Sequence, residues 1–243
     1  MRRALPLAAT LGAVSLIALS TGCESTSRRA SPENATPQTA SHPEPPPGAS
    51  EARALLGDAY YLSACAWCAG MLGAKGDTLD RVMQGRDVRF CSAPCAEAFE
   101  RDPAEGFRRA DDAMIADQVP RYPLATSIVS GRALPDRPAD VIVGNRLFRL
   151  ADRAEHAALA RDPARYLREL DEAVLDAQRP AYPMPDKCPV QGDILAADTP
   201  IDFVVANRMV RVCCMRCARV VRSRPSQYLS MIDYANAHRP EPE

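Results

Sequence analysis

The stretch IDFVVANRMVRVCCMRC, residues 201–217, predicts three consecutive structural features. Two short runs rich in β-branched residues flank Ala206-Asn207, and this arrangement predicts a short β-hairpin. Cys213 and Cys217 follow the second run directly, and the residues after them have a helical pattern. We therefore predict a hairpin, then a group of cysteines, then a short helix.

The same stretch has an earlier counterpart at a fixed interval, and such internal repeats decide how the whole chain is interpreted. At an interval of 122 residues, Cys213 matches Cys91, Cys217 matches Cys95, and Gly192 matches Gly70. The match runs without a gap, which predicts that one structural unit occurs at least twice.

A middle copy lies between these two. The sequence NRLFRL of residues 145–150 matches NRMVRV of residues 207–212 at an interval of 62. The middle copy has Ala151 where the last copy has Cys213, and Glu155 where it has Cys217. Because the apolar and turn positions are kept without any thiol, we expect this copy to fold without metal.

Each copy continues into a second helix that begins at a proline. An N-cap residue followed by proline in the first turn marks this start, and it occurs at Asp102-Pro103, Asp162-Pro163 and, with a weaker cap, Arg224-Pro225. The sequence therefore predicts an α+β fold of three tandem small units, each a cysteine knuckle and β-hairpin followed by two helices, the middle unit lacking cysteines. Their predicted bounds are 51–119 (unit 1), 120–179 (unit 2) and 180–243 (unit 3).

The N-terminus has the pattern of a secretion signal. Residues 1–22 contain two arginines, an apolar stretch too short for a membrane span, and then small residues. The motif STGC ending at Cys23 resembles the lipobox of bacterial lipoproteins, with Ser20 where that family usually has Leu. The resemblance implies lipidation of Cys23, and Glu24 after it implies sorting to the outer membrane, facing the periplasm. An ordinary signal peptide with a chance cysteine is the alternative.

Composition bears on the linker, the partners and the activity. Residues 23–50 are rich in Pro and Ser and nearly devoid of apolar side chains, so we predict a disordered tether. The chain has 30 Lys plus Arg against 31 Asp plus Glu, a balance that argues against a nucleic-acid partner.

Since the sequence contains neither a convincing Ser, His and carboxylate set nor a phosphate-binding glycine loop, we do not expect an enzyme.

Unit 1 contains two short-spaced cysteine pairs, one on each side of the predicted hairpin. Cys65 and Cys68 form C-x2-C, and Cys91 and Cys95 form C-x3-C after 22 intervening residues. Thiolate pairs that meet in this way can surround one soft or borderline ion tetrahedrally, and zinc is the commonest ion held by four thiolates. We therefore predict a zinc site in unit 1.

Unit 3 has a less regular set. Cys188 stands alone before the hairpin, and Cys213, Cys214 and Cys217 stand after it. Adjacent side chains in an extended or turn backbone point in different directions, so we expect three ligands rather than four, with Cys188, Cys213 and Cys217 preferred by the repeat and Cys214 kept as a candidate. An open coordination position would suit an exchangeable zinc or copper(I) ion.

These motifs resemble the YHS and TRASH-type metal-binding domains. The matching features are a cysteine and glycine before the hairpin, Phe90-Cys91 at its end, Cys95, and a Pro-led helix with Tyr228-Leu229. The resemblance spans units 1 and 3 well and unit 2 only in outline. It implies a treble-clef or zinc-ribbon-like fold and a role in sensing or handling heavy metals.

Two alternatives remain open from the sequence. Eight cysteines in a secreted chain can form structural disulfides instead of binding metal. The repeats can also be an envelope scaffold that binds a protein partner, with zinc or disulfides holding only the knuckles.

Overall fold

The computed structural model of the protein describes residues 56–74, 76–192, 194–195 and 200–238. The predicted signal peptide, the lipidation site Cys23 and the tether of residues 23–50 lie outside the described residues. The described part of the chain forms six α-helices and three two-stranded antiparallel sheets, which confirms the α+β class. Within it, no helix has both the length and the apolar character needed to span a bilayer.

All three units have the same order of elements. Unit 1 contains β1 (Leu79–Met83), β2 (Arg86–Phe90), α1 (Ala93–Arg101) and α2 (Pro103–Gln118). Unit 2 contains β3 (Ala139–Val143), β4 (Arg146–Leu150), α3 (His156–Arg161) and α4 (Pro163–Gln178). Unit 3 contains β5 (Ile201–Val205), β6 (Arg208–Val212), α5 (Met215–Ser223) and α6 (Pro225–Ala237). A hairpin followed by two helices therefore recurs as the sequence predicts.

A tight loop, here called the knuckle, precedes each hairpin. One isolated β-bridge closes each knuckle, pairing Ala64 with Met71, Thr126 with Ala133, and Lys187 with Ile194. Because the bridge recurs at the same place in every unit, it gives a structural reference for comparing the three knuckles residue by residue.

The hairpin turns are the two-residue turns that the sequence predicts. Both residues of each turn have positive φ, namely Gln84 and Gly85, Gly144 and Asn145, and Ala206 and Asn207. This conformation matches the twist of the strands, so each hairpin keeps the same register over five residue pairs.

Capping explains where the long helices start. The Asp102 carboxylate accepts a hydrogen bond from the backbone N–H of Glu105 at 3.1 Å, and Asp162 does the same for Arg165 at 3.1 Å. Arg224 precedes α6 and makes no side-chain cap, as its sequence predicts. Proline follows all three cap residues, where its missing N–H costs no helical hydrogen bond.

A glutamine at the end of α2 and of α4 joins that helix to the hairpin of the next unit, and Gln118 is buried whereas Gln178 is half-buried. The Gln118 side chain at the end of α2 donates to the carbonyl of Asn145 at 3.1 Å and accepts from the N–H of Leu147 at 3.0 Å. At the end of α4, Gln178 donates to the carbonyl of Asn207 at 2.8 Å and accepts from the N–H of Met209 at 2.8 Å. The same joint therefore connects unit 1 to unit 2 and unit 2 to unit 3.

Unit 3 also contacts unit 1. Arg208, at the start of β6, forms hydrogen-bonded ion pairs with Asp117 of α2 at 2.7 and 2.9 Å and with Asp233 of α6 at 3.1 Å. Asp58 of unit 1 accepts a hydrogen bond from the backbone N–H of Ala206 at 2.7 Å. Each unit thus contacts the other two, and the hairpin turns lie at their junction.

Candidate metal centre

The four thiols of unit 1 converge on one point. The sulfur atoms of Cys65, Cys68, Cys91 and Cys95 all lie within 4.8 Å of one another. The Sγ of Cys91 is 3.5 Å from that of Cys68 and 3.7 Å from that of Cys95. Zinc–sulfur bonds of about 2.3 Å in a tetrahedron place sulfurs about 3.8 Å apart, whereas a disulfide holds them at about 2.05 Å. The spacing therefore fits a shared cation.

Two separate segments supply these thiols. Cys65 and Cys68 lie in the knuckle, Cys91 follows the last residue of β2, and Cys95 lies in the first turn of α1. The N–H of Ala66 donates to the carbonyl of Arg89 at 3.0 Å and so ties the knuckle to the end of β2. Backbone hydrogen bonds therefore bring the two pairs together from opposite sides of the hairpin.

Solvent reaches this cluster from one side. Cys65 and Cys91 are buried and Cys95 is half-buried, whereas Cys68 is exposed. The Arg109 guanidinium lies over the ring of Trp67 at 4.5 Å and donates to the Trp67 carbonyl at 3.2 Å, which fixes the knuckle against α2. Cys68 is therefore the sulfur through which a ligand or another protein can approach.

The crowding of the four thiols opposes the loss of their protons. Desolvation, together with the neighbouring thiols of Cys68 and Cys91, raises the pKa of Cys95 to about 12. A bound cation offsets the negative charge that builds up when neighbouring thiols lose their protons. The donor set of unit 1 therefore fits a thiophilic metal ion.

Unit 3 brings together three thiols. The sulfur atoms of Cys188, Cys213 and Cys217 lie within 4.8 Å of one another, and those of Cys213 and Cys217 are 3.5 Å apart. Cys188 and Cys217 are fully buried and Cys213 is half-buried. These are the three cysteines that the repeat favours as ligands.

Backbone donors surround the Cys188 sulfur. Burial by itself would raise the pKa of Cys188, but hydrogen bonds from the backbone N–H groups of Cys213, Gln191 and Val190 lower it. In contrast, burial raises the pKa of Cys213 to about 11. Cys188 is therefore held by the knuckle in a form suited to act as a thiolate ligand.

Cys214 does not join the cluster of three sulfurs in the described part of unit 3. It is the N-cap residue of α5, with extended backbone angles of φ −160° and ψ 165°. The Cys214 thiol nevertheless interacts with those of Cys213 and Cys217, so Cys214 lies beside the cluster without belonging to the group of three. Ser92 has the corresponding place before α1, with φ −169° and ψ 161°.

The ungapped interval of 122 residues is wrong inside the knuckles. In each knuckle one residue with positive φ donates its N–H to the carbonyl four residues earlier; these pairs are Ala69 with Cys65, Gly131 with Ser127, and Gly192 with Cys188. Gly192 therefore corresponds to Ala69, and not to Gly70 as the sequence interval predicts. Units 1 and 3 differ by one residue in the length between knuckle and hairpin, because a loop tolerates a length change that a paired strand does not.

This register identifies the counterparts of the unit 1 ligands. Ser127 of unit 2 and Cys188 of unit 3 occupy the place of Cys65. The place of Cys68, one residue before the positive-φ position, is taken by Ser130 in unit 2 and by Gln191 in unit 3.

The knuckle of unit 2 holds a carboxylate at the corresponding point. Glu155 is buried, and its oxygens accept hydrogen bonds from the Ser127 and Ser130 hydroxyls at 2.5 Å each, from Arg132 at 2.7 Å, and from the Ala151 N–H at 3.0 Å. Burial by itself would raise the pKa of Glu155, but these hydrogen bonds outweigh it and lower the pKa to about 2. A charged polar network thus stands where the other units gather sulfur.

The hairpin repeat points to Ala151 and Glu155 in the sequence, but it does not point to Ser127 and Ser130. Their spacing, S-x2-S, repeats the C-x2-C of unit 1, and Gly131 follows as Ala69 follows Cys68. Because the length between knuckle and hairpin is two residues shorter in unit 2 than in unit 1, an ungapped comparison conceals this match.

Comparisons with protein-family models, with curated proteins and with solved structures found no match to this chain.

Proposed function

We propose that this protein is a lipid-anchored metal-binding protein of the outer membrane that faces the periplasm and sequesters, senses or transfers a thiophilic ion. The convergence of the four unit 1 sulfurs within 4.8 Å carries the proposal. Binding of the ion, and not catalysis, is its role.

Unit 1 is the tighter site and takes zinc. Its four thiols complete a tetrahedron without help from solvent, which is the usual composition of a closed zinc site. Two of them, Cys65 and Cys91, are buried, so an ion held there exchanges slowly.

Unit 3 is the more exchangeable site and takes zinc or copper(I). Three described sulfurs leave one coordination position to water or to an incoming ligand. The resemblance of units 1 and 3 to YHS and TRASH-type domains supports metal handling as the purpose of this site.

Metal analysis tests the proposal. Full-length protein purified without reducing agent should contain close to one ion per thiol cluster and should react with thiol reagents only after a chelator is added. A competing chelator should remove the ion of unit 3 first. Metal-free protein whose cysteines are all paired as disulfides would contradict the proposal.

The structure of unit 2 favours a second candidate, an envelope scaffold that binds a protein partner. Because the Glu155 network holds a knuckle without thiols, a metal in unit 1 can have a purely structural role. One zinc per chain, confined to unit 1 and resistant to chelators, would favour the scaffold. A labile second ion would favour metal handling.

Anchoring at Cys23 has its own test. The Cys23→Ala variant should leave the membrane fraction for the soluble periplasmic fraction, with its thiol clusters unchanged. Equal membrane association of both proteins would contradict the lipid anchor.

A further inference from the structure

Units 1 and 3 have different residue types at only one of the four ligand positions. Cys65, Cys91 and Cys95 correspond to Cys188, Cys213 and Cys217, and each set of three gathers its sulfurs within 4.8 Å. The fourth place is Cys68 in unit 1. The knuckle register puts Gln191 at that place in unit 3.

The backbone around this place is alike in the two units. Ala69 and Gly192, the next residues, have φ of 56° and 73° and donate to the carbonyls of Cys65 and Cys188 at 3.0 and 2.8 Å. The backbone N–H of Gln191 also donates to the Cys188 sulfur, so the residue lies beside the cluster. What differs is the chemistry of the side chain, because a neutral amide replaces a thiol.

The replacement of a thiol by an amide changes which metal ion the site favours. Zinc in a closed site takes four ligands and gains from a fourth thiolate. Copper(I) is softer, is well satisfied by three thiolates, and gains little from a neutral amide oxygen. A fourth thiolate also adds one more negative charge, which a divalent ion offsets better than a monovalent one.

We infer that Gln191 is the specificity-determining residue of the unit 3 site, which it keeps as a three-thiolate centre that favours copper(I), in contrast to the four-thiolate centre that Cys68 completes in unit 1. This inference rests on the proposed function. It goes beyond that function because it assigns the ion preference of each site to one residue.

Cys214 is the competing source of a fourth sulfur. Its thiol interacts with those of Cys213 and Cys217, so it lies beside the three-sulfur cluster. A Cys214→Ser variant separates the two explanations, since it removes this sulfur and leaves Gln191 in place. Ser92 shows that serine is accommodated at the corresponding N-cap of α1.

Cadmium NMR of the full-length protein provides the readout, because the number of sulfur ligands sets the cadmium chemical shift. Wild-type protein should give one four-sulfur signal and one three-sulfur signal. Gln191→Cys should move the second signal into the four-sulfur range, and the reciprocal Cys68→Gln should move the first out of it. Cys214→Ser should leave both signals in place.

Ion competition provides the second readout. Gln191→Cys should tighten zinc binding at unit 3 by at least about tenfold and should lower its preference for copper(I) over zinc. Thermal melts of the metal-loaded variants check that each is folded. If Gln191→Cys does not fold, the reciprocal variant Cys68→Gln still tests the inference.

The outcomes distinguish this inference from the proposed function. If wild-type protein takes up no cadmium, zinc or copper(I), both fail. If it binds two ions but Gln191→Cys and Cys68→Gln leave the signals and the zinc affinity unchanged, only the role of Gln191 is overturned. A four-sulfur signal from wild-type unit 3 that disappears in Cys214→Ser would overturn it as well.

Discussion

The Glu155 carboxylate of unit 2 accepts a hydrogen bond from the Ser127 hydroxyl at 2.5 Å. Glu155 corresponds to Cys95 of unit 1 and Ser127 corresponds to Cys65, and both of these cysteines belong to the four-thiol cluster. The same knuckle is thus closed by sulfur in one unit and by a charged hydrogen-bond network in another. This relationship allows the contributions of metal and of scaffold to be separated within one chain.

Replacing Glu155 with Ala should destabilise unit 2 by about 3 kcal/mol, because the buried Ser127 hydroxyl, the Ser130 hydroxyl and the Ala151 N–H lose their acceptor. Urea unfolding, with hydrogen exchange of β3 and β4, measures the effect. Glu172→Ala is the control, since Glu172 is an exposed residue of α4 in the same unit. Equal losses for both variants would show that the network contributes nothing specific.

The same carboxylate predicts a pH dependence. Its pKa is lowered from 4.5 to about 2 in the folded protein, so its contribution to stability is fully present above pH 4.5 and is lost as the pH falls towards 2. Hydrogen exchange of β4 in the metal-free protein should rise across this range relative to the unfolded rate. The Glu155→Gln variant should show a smaller change over the same range. A pH response that this variant retains in full would assign the effect to other groups.

Cysteines at the four corresponding places of unit 2 should create a third metal site. The variant Ser127→Cys, Ser130→Cys, Ala151→Cys and Glu155→Cys places thiols in the register that unit 1 uses. Metal analysis should find one more bound zinc ion than in wild type. A matched variant with Ser130 retained should bind that ion more weakly. An unchanged zinc count in a folded protein would show that the register is wrong.

Removing one ligand of unit 1 should matter more than removing Cys214. Cys91→Ser deletes a buried sulfur at the centre of the four-thiol cluster, so we expect loss of its ion and unfolding of unit 1 at a lower temperature. Cys214 lies outside the cluster of three in unit 3, and serine should replace it with little effect. Thermal melts with and without chelator measure both. Equal tolerance of the two variants would count against this choice of ligands.

Gly144→Ala should be far more damaging than Gly85→Ala. Both glycines have positive φ in hairpin turns, but an added Cβ at Gly144 would lie 2.0 Å from the Leu56 carbonyl oxygen, whereas nothing lies within 4 Å at Gly85. Backbone strain alone costs about 1–2 kcal/mol at either place, and the clash adds about 1–3 kcal/mol at Gly144. Chemical denaturation compares the two. Similar losses would mean that Leu56 moves away freely.

Local signals of the sequence predicted each unit well. The turn pairs, the proline starts of the long helices and the cysteines that flank the hairpins depend on neighbours a few residues apart, and the structure has them where the sequence indicates. The joints between units were not predictable in this way. Gln118 and Gln178 look like ordinary polar residues at helix ends, and only the docking of the next hairpin brings them into hydrogen-bond contact with its backbone groups.

The sequence by itself determined the three-fold repeat, the hairpin-and-helix layout, and the thiol sets of units 1 and 3, because these follow from residue type and short-range spacing. Tertiary structure decided which residues face one another in each knuckle. It left Cys214 beside the group of three sulfurs in unit 3 and gathered Ser127, Ser130 and Glu155 into one network. The physical reason is that a change of one or two residues in loop length leaves the hairpin pairing intact but shifts the knuckle, and only closure of the loop shows the register in which its side chains meet.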